Sequence, residues 1–156
     1  MDACSWFSIG SILAGSVGAA ATWTVLNFVG IPARKFIDLR GEVVRRLVEF
    51  ANVRSRWKEV RDDVGATSGE RDEIKLSDRE IARLEEAQRV LRDLAAQMRA
   101  FATNETMAMW VVRWILRFNP EKASAGLIGL SNDYDTSGGR KAFHRSAVHE
   151  ALRIKL

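Results

Sequence analysis

The first 33 residues of this 156-residue chain carry a single charge, on Asp2. From Ala3 to Ala33 the sequence is uncharged and mostly apolar, with Gly, Ala, Ser and Thr between the larger side chains. A helix needs about 20 apolar residues to cross the hydrocarbon core of a bilayer. This run is long enough and no other run in the sequence is, so residues 1–33 are predicted to form a transmembrane helix.

Basic residues follow the apolar run at once, and they are Arg34, Lys35, Arg40, Arg45 and Arg46. Lys and Arg concentrate on the cytoplasmic flank of a membrane helix and attract anionic lipid headgroups. We therefore expect a single-pass protein of the bacterial inner membrane, with its N-terminus outside and its C-terminus in the cytoplasm. Topology and lipid account for the basic pI of about 9.6, so nucleic acid is not the expected partner. The alternatives for this run are a cleaved signal peptide and a buried core helix.

Small and hydroxyl side chains fall on one face of the apolar helix, at 100° per residue. They are Ser8, Ser11, Gly15, Gly18 and Thr22. Small residues let membrane helices approach closely, and hydroxyls form hydrogen bonds across such contacts. This face predicts a homo-oligomer. In an alternative interpretation, Ser8, Ser11, Gly15 and Thr22 line the lumen of an oligomeric pore.

A helical pattern continues from residue 33 to about residue 61. Its apolar positions have the spacing of a coiled-coil seam, at Phe36, Leu39, Val43, Phe50, Val53 and Trp57. Counting back in steps of three and four brings this stalk seam into register with the small-residue face. The sequence therefore predicts one long helix through Pro32, whose seam adds to the oligomer contacts.

The remainder of the chain also has helical signals and no convincing strand. Residues 62–76 are polar and are predicted to form a mobile loop, after which Ser77 and Glu80 match the capping box that starts a helix. We expect that helix to fold back on the 33–61 helix. The predicted fold class is all-α, with one N-terminal transmembrane helix (1–33) that continues into an antiparallel cytoplasmic helical bundle (34–156).

Two further helix starts are marked in the second half. Asn119 and Pro120 are typical of an N-cap followed by the first helical residue. The helix that follows contains Gly126 and Gly129, which predict a close helix contact because glycine otherwise destabilises a helix. A last helix from about Arg140 is expected to turn Phe143 and Val148 inward.

A short apolar helix is predicted between residues 105 and 118. Its distinctive side chains are Trp110, Arg113, Trp114, Arg117 and Phe118. It is too short to span a bilayer. Two interpretations remain: a core helix of the bundle, which we favour, and an interfacial helix with aromatic rings in lipid and arginines on headgroups.

No catalytic signature, cofactor motif or metal-ligand spacing is recognisable, so the protein is not expected to be an enzyme. The histidines, His144 and His149, point about 140° apart on a helix, and the single cysteine, Cys4, cannot form an intrachain disulfide. The nearest approach to catalysis is an Arg four residues before each His. Small helical ribonucleases have such a pair with at least one more intervening residue.

Two short motifs carry a family resemblance: Ala125–Asn132, and Phe50–Val53 after a basic amphipathic helix. They resemble uncharacterised bacterial proteins with one N-terminal membrane segment and a short helical body, a group that brings no known activity. In layout, size and helicity the chain is also similar, more distantly, to membrane accessory proteins of type VI CRISPR systems. That similarity implies pore assembly and a role in antiviral defence.

The functional prediction is a self-associating, membrane-tethered interaction module without enzymatic activity. Its expected partners are membrane lipid, further copies of itself and an unidentified protein. The surface around Leu127–Asn132 and the edge from Arg113 to Phe118 are expected to meet a partner or the bilayer. The first alternative is a pore-forming effector of prokaryotic defence, and the second is a ribonuclease-like enzyme.

Overall fold

The computed structural model describes residues 17–61 and 67–155, and most of these residues are helical. The elements are α1 (17–25), the π-helical turn π1 (Leu26–Gly30), α2 (Ile31–Glu49), β1 (Trp57–Arg61), β2 (Thr67–Glu73), α3 (Asp78–Asn104), α4 (Thr106–Trp110), the π-helical turn π2 (Val111–Ile115), α5 (Pro120–Asn132), β3 (Thr136–Ser137) and α6 (Gly139–Ala151). The predicted helical class is confirmed, with a small sheet added to it.

The helix passes through Pro32 without a break, as predicted. Proline has no N–H to donate, and its ring collides with the carbonyl four residues earlier in a regular α-helix. Here π1 widens the turn just before Pro32, and the Ile31 N–H donates to the carbonyl of Leu26, five residues back. Gly30 keeps right-handed helical angles. The helical path therefore continues from residue 17 to Glu49.

The predicted membrane-spanning helix has no support among the described residues. In 17–61 and 67–155, no helix combines the length and the apolar character that a membrane crossing requires. The first 16 residues of the predicted span lie outside the described residues.

The prediction that this helix extends to residue 61 was wrong. After Glu49 the chain turns, with the Val53 N–H donating to the Phe50 carbonyl at 3.2 Å. Trp57 then begins a strand, and its N–H donates to the carbonyl of Asp135 at 2.7 Å. Backbone hydrogen bonds to distant residues thus replace the helical bonds that the local pattern predicted.

Three short strands form a sheet in the order β2-β1-β3, which corrects the expectation of a fold without strands. β1 and β2 are antiparallel, with Trp57 opposite Glu73, and β1 and β3 are parallel, with Trp57 opposite Thr136. β2 occupies part of the predicted loop at 62–76, so that segment is partly paired. Residues 62–66 lie outside the described residues.

The helix starts predicted at Ser77 and at Asn119 are confirmed by their capping contacts. The Ser77 hydroxyl accepts the Glu80 N–H, and the Glu80 carboxylate accepts the Ser77 N–H at 2.9 Å, so the capping box is complete. The Ser77 hydroxyl also donates to the Glu80 carboxylate at 2.8 Å, and the bonds that this carboxylate accepts from the Ser77 backbone and side chain lower the pKa of Glu80. At the other start, Asn119 Oδ1 accepts the Lys122 N–H at 3.0 Å.

The hydrophobic core lies where α3 packs against α2 and α5, and where α5 packs against α6. Its largest fully buried side chains are Phe36, Val43, Phe50, Leu91, Met98, Val112, Leu127, Leu130, Val148 and Leu152. Three of these come from the predicted stalk seam. Val53 is buried as well, and Leu39 and Trp57 are half-buried. Since contacts within one chain bury these residues, the seam does not offer them to a second copy.

A glycine allows α5 and α6 to approach closely, as the sequence predicts. A Cβ at Gly126 would lie 2.8 Å from Val148 Cγ2 and 3.3 Å from the backbone atoms His144 O and Val148 N. The first neighbour is a side chain that can turn, whereas the other two belong to the backbone of α6. The contact between these helices therefore depends on the absence of a side chain at this position.

Gly126→Ala should destabilise the protein by about 1–2 kcal/mol, because the strain of overpacking exceeds the helix propensity that alanine adds. Gly41→Ala is the matched control, since nothing lies within 4 Å of a Cβ at that position in α2. It should stabilise the protein by about 0.5–1 kcal/mol. Urea unfolding followed by circular dichroism measures both changes. Shifts of the same sign would contradict the close contact.

Candidate functional site

The helix from residue 17 to residue 31 is uncharged, and the chain's own body leaves it uncovered. Every residue in this range is exposed except the half-buried Val29. The larger apolar side chains, each more than half exposed, are Val17, Trp23, Val25, Leu26, Phe28 and Ile31. An uncovered apolar surface of this kind marks a binding or membrane-contact site.

Three polar side chains of this helix donate hydrogen bonds to its own backbone. Thr22 and Thr24 donate their hydroxyls to carbonyls four residues earlier, each at 2.9 Å. Asn27 donates its amide to the Trp23 carbonyl at 2.8 Å. These donors therefore need no water, which suits a helix in apolar surroundings.

The predicted oligomer or pore face lies only partly in the described range. Gly18 and Thr22 are exposed, and the space around a Cβ at Gly18 is open. Ser8, Ser11 and Gly15 lie outside the described residues. Self-association through this face stays a prediction.

The short helix formed by α4 and π2 has one buried face and one exposed apolar face. α4 contacts π1, so this helix lies beside the uncovered N-terminal helix. Its buried side chains are Ala108, Met109 and Val112, and its exposed apolar side chains are Met107, Trp110, Trp114 and Ile115. The core interpretation thus holds for one face of this helix, and the interfacial interpretation stays a prediction for the other. We call residues 17–31 together with these four exposed side chains the apolar end.

The other members of the predicted interface helix differ in their exposure. Arg113 is exposed, with its guanidinium 3.9 Å from a carboxylate oxygen of Glu121. Arg117 is exposed and ends the helix in a left-handed conformation, with φ of 57°. Phe118 is half-buried and its ring centroid lies 5.6 Å from that of Phe36, so its assignment to the interface was wrong.

The basic residues after the apolar run also differ in their surroundings. Arg34 and Lys35 are exposed at the start of α2, next to the apolar end. Arg40 is directed into the body, where its Nε donates to the Leu152 carbonyl at 2.9 Å and its guanidinium lies 5.2 Å from the centre of the Phe118 ring. The headgroup role predicted for Arg40 is therefore replaced by a structural one.

Two more of these arginines form ion pairs along α2. Arg45 and Arg46 pair with Glu42 at 2.6 and 2.8 Å, and Arg46 also pairs with Glu49 at 2.8 Å. Hydrogen bonds from Arg45 and then Arg46 lower the pKa of Glu42. Since these charges are neutralised in place, Arg34 and Lys35 are the better candidates for contact with anionic headgroups.

The two histidines have different surroundings. His144 Nε2 lies 3.3 Å from Asp133 Oδ2. His149 shares a groove with Arg145, and its buried Nδ1 has no hydrogen-bond partner in the part of the chain that the structure describes. Burial, and then the positive charge of Arg145, lower the pKa of His149. Within the described ranges, no group of three His, Cys, Asp or Glu residues is placed to hold a metal ion.

Sequence reasoning missed a polar cluster around Lys141. The Lys141 ammonium donates to Ser55 Oγ at 3.2 Å and to the Tyr134 carbonyl at 3.3 Å, and lies 4.0 Å from the centre of the Tyr134 ring. The Tyr134 hydroxyl donates to the Phe50 carbonyl. Burial lowers the pKa of Lys141. The cluster joins the turn after α2 to the loop after α5, across separations that no local pattern reveals.

The predicted partner surface at Leu127–Asn132 is half interior. Leu127, Leu130 and Ser131 are buried, and Ile128 and Asn132 are exposed. The three buried side chains are therefore unavailable to a partner, and contact through the two exposed ones stays a prediction.

The apolar end is thus an exposed apolar surface of the described residues. It combines an uncovered helix, three polar side chains that donate to that helix's own carbonyls, and four neighbouring exposed apolar side chains, two of them tryptophans. Comparison with protein-family models, curated proteins and solved structures finds no match to this chain.

Proposed function

We propose that this chain is a non-enzymatic, self-associating helical module tethered to the bacterial inner membrane by its apolar N-terminal run. The observation that carries the proposal is the uncovered helix from 17 to 31, whose polar side chains donate to its own carbonyls. In hydrocarbon a donor must find its acceptor within the protein, and Thr22, Thr24 and Asn27 find theirs on the helix itself.

The exposed face of α4 and π2 extends the contact into the interfacial layer of the bilayer. Because α4 touches π1, Trp110 and Trp114 lie near the level at which the tether joins the body. Tryptophan is enriched at this depth, where its ring is apolar and its N–H meets water. Arg113 and Arg117, both exposed, would contact lipid phosphates from the same short helix.

Arg34 and Lys35 support the orientation. They are the first charges after the apolar run, and both are exposed. Cations at this place hold the following domain on the cytoplasmic side and attract anionic lipid. The N-terminus would then lie outside and the helical body in the cytoplasm.

Self-association would use the tether rather than the body. The stalk seam is occupied within the chain, whereas the face that contains Gly18 and Thr22 is open. Small residues on such a face allow the backbones of two membrane helices to approach. The cytoplasmic body would then be free to meet a protein partner.

A carbonate wash of bacterial membranes tests the tether. The unmodified chain should stay with the membranes, and the double variant Val17→Arg/Ala21→Arg should be released. Each arginine costs about 2.5–3.5 kcal/mol at the centre of a membrane helix, and these positions lie near the middle of the 1–33 run. Both residues are exposed, so the substitutions leave the core intact.

Val48→Arg is the matched control, because Val48 is an exposed valine on the same helical run, far from the apolar end. This variant should remain with the membranes. Recovery of the unmodified chain in the wash would overturn the proposal, as would release of all three proteins or of none.

A further inference from the structure

A groove lies between the second half of α2, α6 and the end of the chain, with a volume of about 320 Å³. Its apolar lining consists of Val44, Leu47, Val48, Ala51 and Ile154. Its polar lining consists of Arg145, His149 and Lys155, with no acidic residue among the described residues that line it. The volume is at the small end of the range of about 300–1,000 Å³ for ligand pockets. We call it the basic groove.

Arg145 has no carboxylate partner among residues 17–61 and 67–155. Its guanidinium donates to the Leu47 carbonyl at 3.2 Å. Glutamates nearby in the sequence are already paired: Glu49 with Arg46, and Glu150 with Lys122 at 2.8 Å. A guanidinium has five N–H donors, so several remain for a ligand.

We propose that the basic groove binds a small, soluble organic carboxylate with an apolar body, its carboxylate on Arg145 and its body against Leu47 and Ile154. Arginine holds a carboxylate through two parallel hydrogen bonds, which fixes the direction of the ligand as well as its charge. The apolar lining then selects the remainder of the molecule.

The tethering bilayer is not the source of this ligand. Val48 lies 17 residues after Ile31 on one helix, which at 1.5 Å per residue places the groove about 25 Å from the apolar end. A lipid held in the bilayer would not reach that far. The inference is therefore independent of the membrane proposal, and either can fail alone.

Binding of 4-phenylbutyrate to the full chain tests the inference, with the protein in nanodiscs of neutral lipid and empty nanodiscs as the blank. Titration calorimetry should show one saturable site. The uncharged 4-phenylbutyramide should bind at least about tenfold more weakly, because it lacks the charge-assisted hydrogen bonds. Inorganic phosphate should compete poorly, because it has no apolar body.

Two variants locate the site. Arg145→Met should weaken binding about tenfold or more, and Ala51→Trp, which fills the groove from an exposed position, should abolish it. Arg92→Met removes an exposed arginine of α3 outside the groove and should leave binding unchanged. Unchanged circular dichroism confirms that each variant is folded. If Arg145→Met disturbs the fold, Arg145→Lys takes its place and should keep part of the affinity of the unmodified chain.

Four results would overturn the inference: no saturable binding, equal affinity for the amide, full displacement by inorganic phosphate, or binding that persists in Ala51→Trp. A result in which vesicles of anionic phospholipid bind the groove and 4-phenylbutyrate does not would also overturn it, in favour of a lipid headgroup.

Discussion

A chain with Phe36→Ala should lose about 3–5 kcal/mol of its free energy of unfolding, the usual cost of removing a buried phenylalanine ring. Phe36 is fully buried, with its ring centroid 5.1 Å from that of Phe101 and 5.6 Å from that of Phe118. It therefore joins α2 to α3 and to the segment after π2. A loss of this size is a large share of the 5–15 kcal/mol that stabilises a typical domain.

Ile37→Ala is the matched control, because Ile37 is the next residue of α2 and is exposed. It should cost less than about 1 kcal/mol. Urea unfolding of the full chain in neutral detergent, followed by circular dichroism, compares the two. The difference should not depend on protein concentration, because the ring cluster lies within one chain. A loss that disappears on dilution would indicate that Phe36 belongs to an intermolecular seam.

Local signals in the sequence were sufficient to predict where two of the helices begin. Ser77 with Glu80, and Asn119 with Pro120, satisfy backbone donors through neighbours in the chain, so the tertiary fold does not need to be known. The capped helices begin at Asp78 and Pro120. The close helix contact at Gly126 was predictable for a similar reason, because a glycine within a helix is destabilising unless close packing requires it.

The strands could not be predicted from local signals of this kind. β1 contains charged residues, and β2 is polar and contains Gly69, so neither has the apolar alternation of a half-buried strand. Their pairing joins Trp57 to Glu73 and to Thr136, across 16 and 79 positions of the sequence. Such bonds depend on how α5 and α6 return the chain to the turn after α2.

The sequence predicted which side chains face inward better than it predicted which element covers them. Apolar spacing correctly marked Phe36 and Val43 as inward-facing, but the sequence predicted both the helix after Ser77 and a second copy of the chain as partners of this face. In the structure α3, the helix after Ser77, packs against α2. Phe143 shows the opposite error: it was expected inside, yet it is exposed, while Val148 on the same helix is buried.

Membrane contact at the apolar end should make a thiol at position 114 react at least about tenfold more slowly with a water-soluble maleimide than a thiol at position 143. In the structure Trp114 is 68% exposed and Phe143 is 69% exposed, so the isolated chain gives neither site an advantage. Any difference in rate must then come from what covers α4 and π2. Insertion of this face into the headgroup and acyl boundary excludes water and the reagent together.

The measurement uses Trp114→Cys and Phe143→Cys, each in a Cys4→Ser background so that one thiol is present, reconstituted in lipid vesicles. After denaturation in urea and detergent the two rates should become equal. If lipid covers position 114, the ratio of the two reaction rates should stay constant as lipid is added to a fixed amount of protein. A ratio that falls toward one on dilution would assign the cover to a second copy of the chain, and equal rates at every dilution would leave the face in water and contradict membrane contact there.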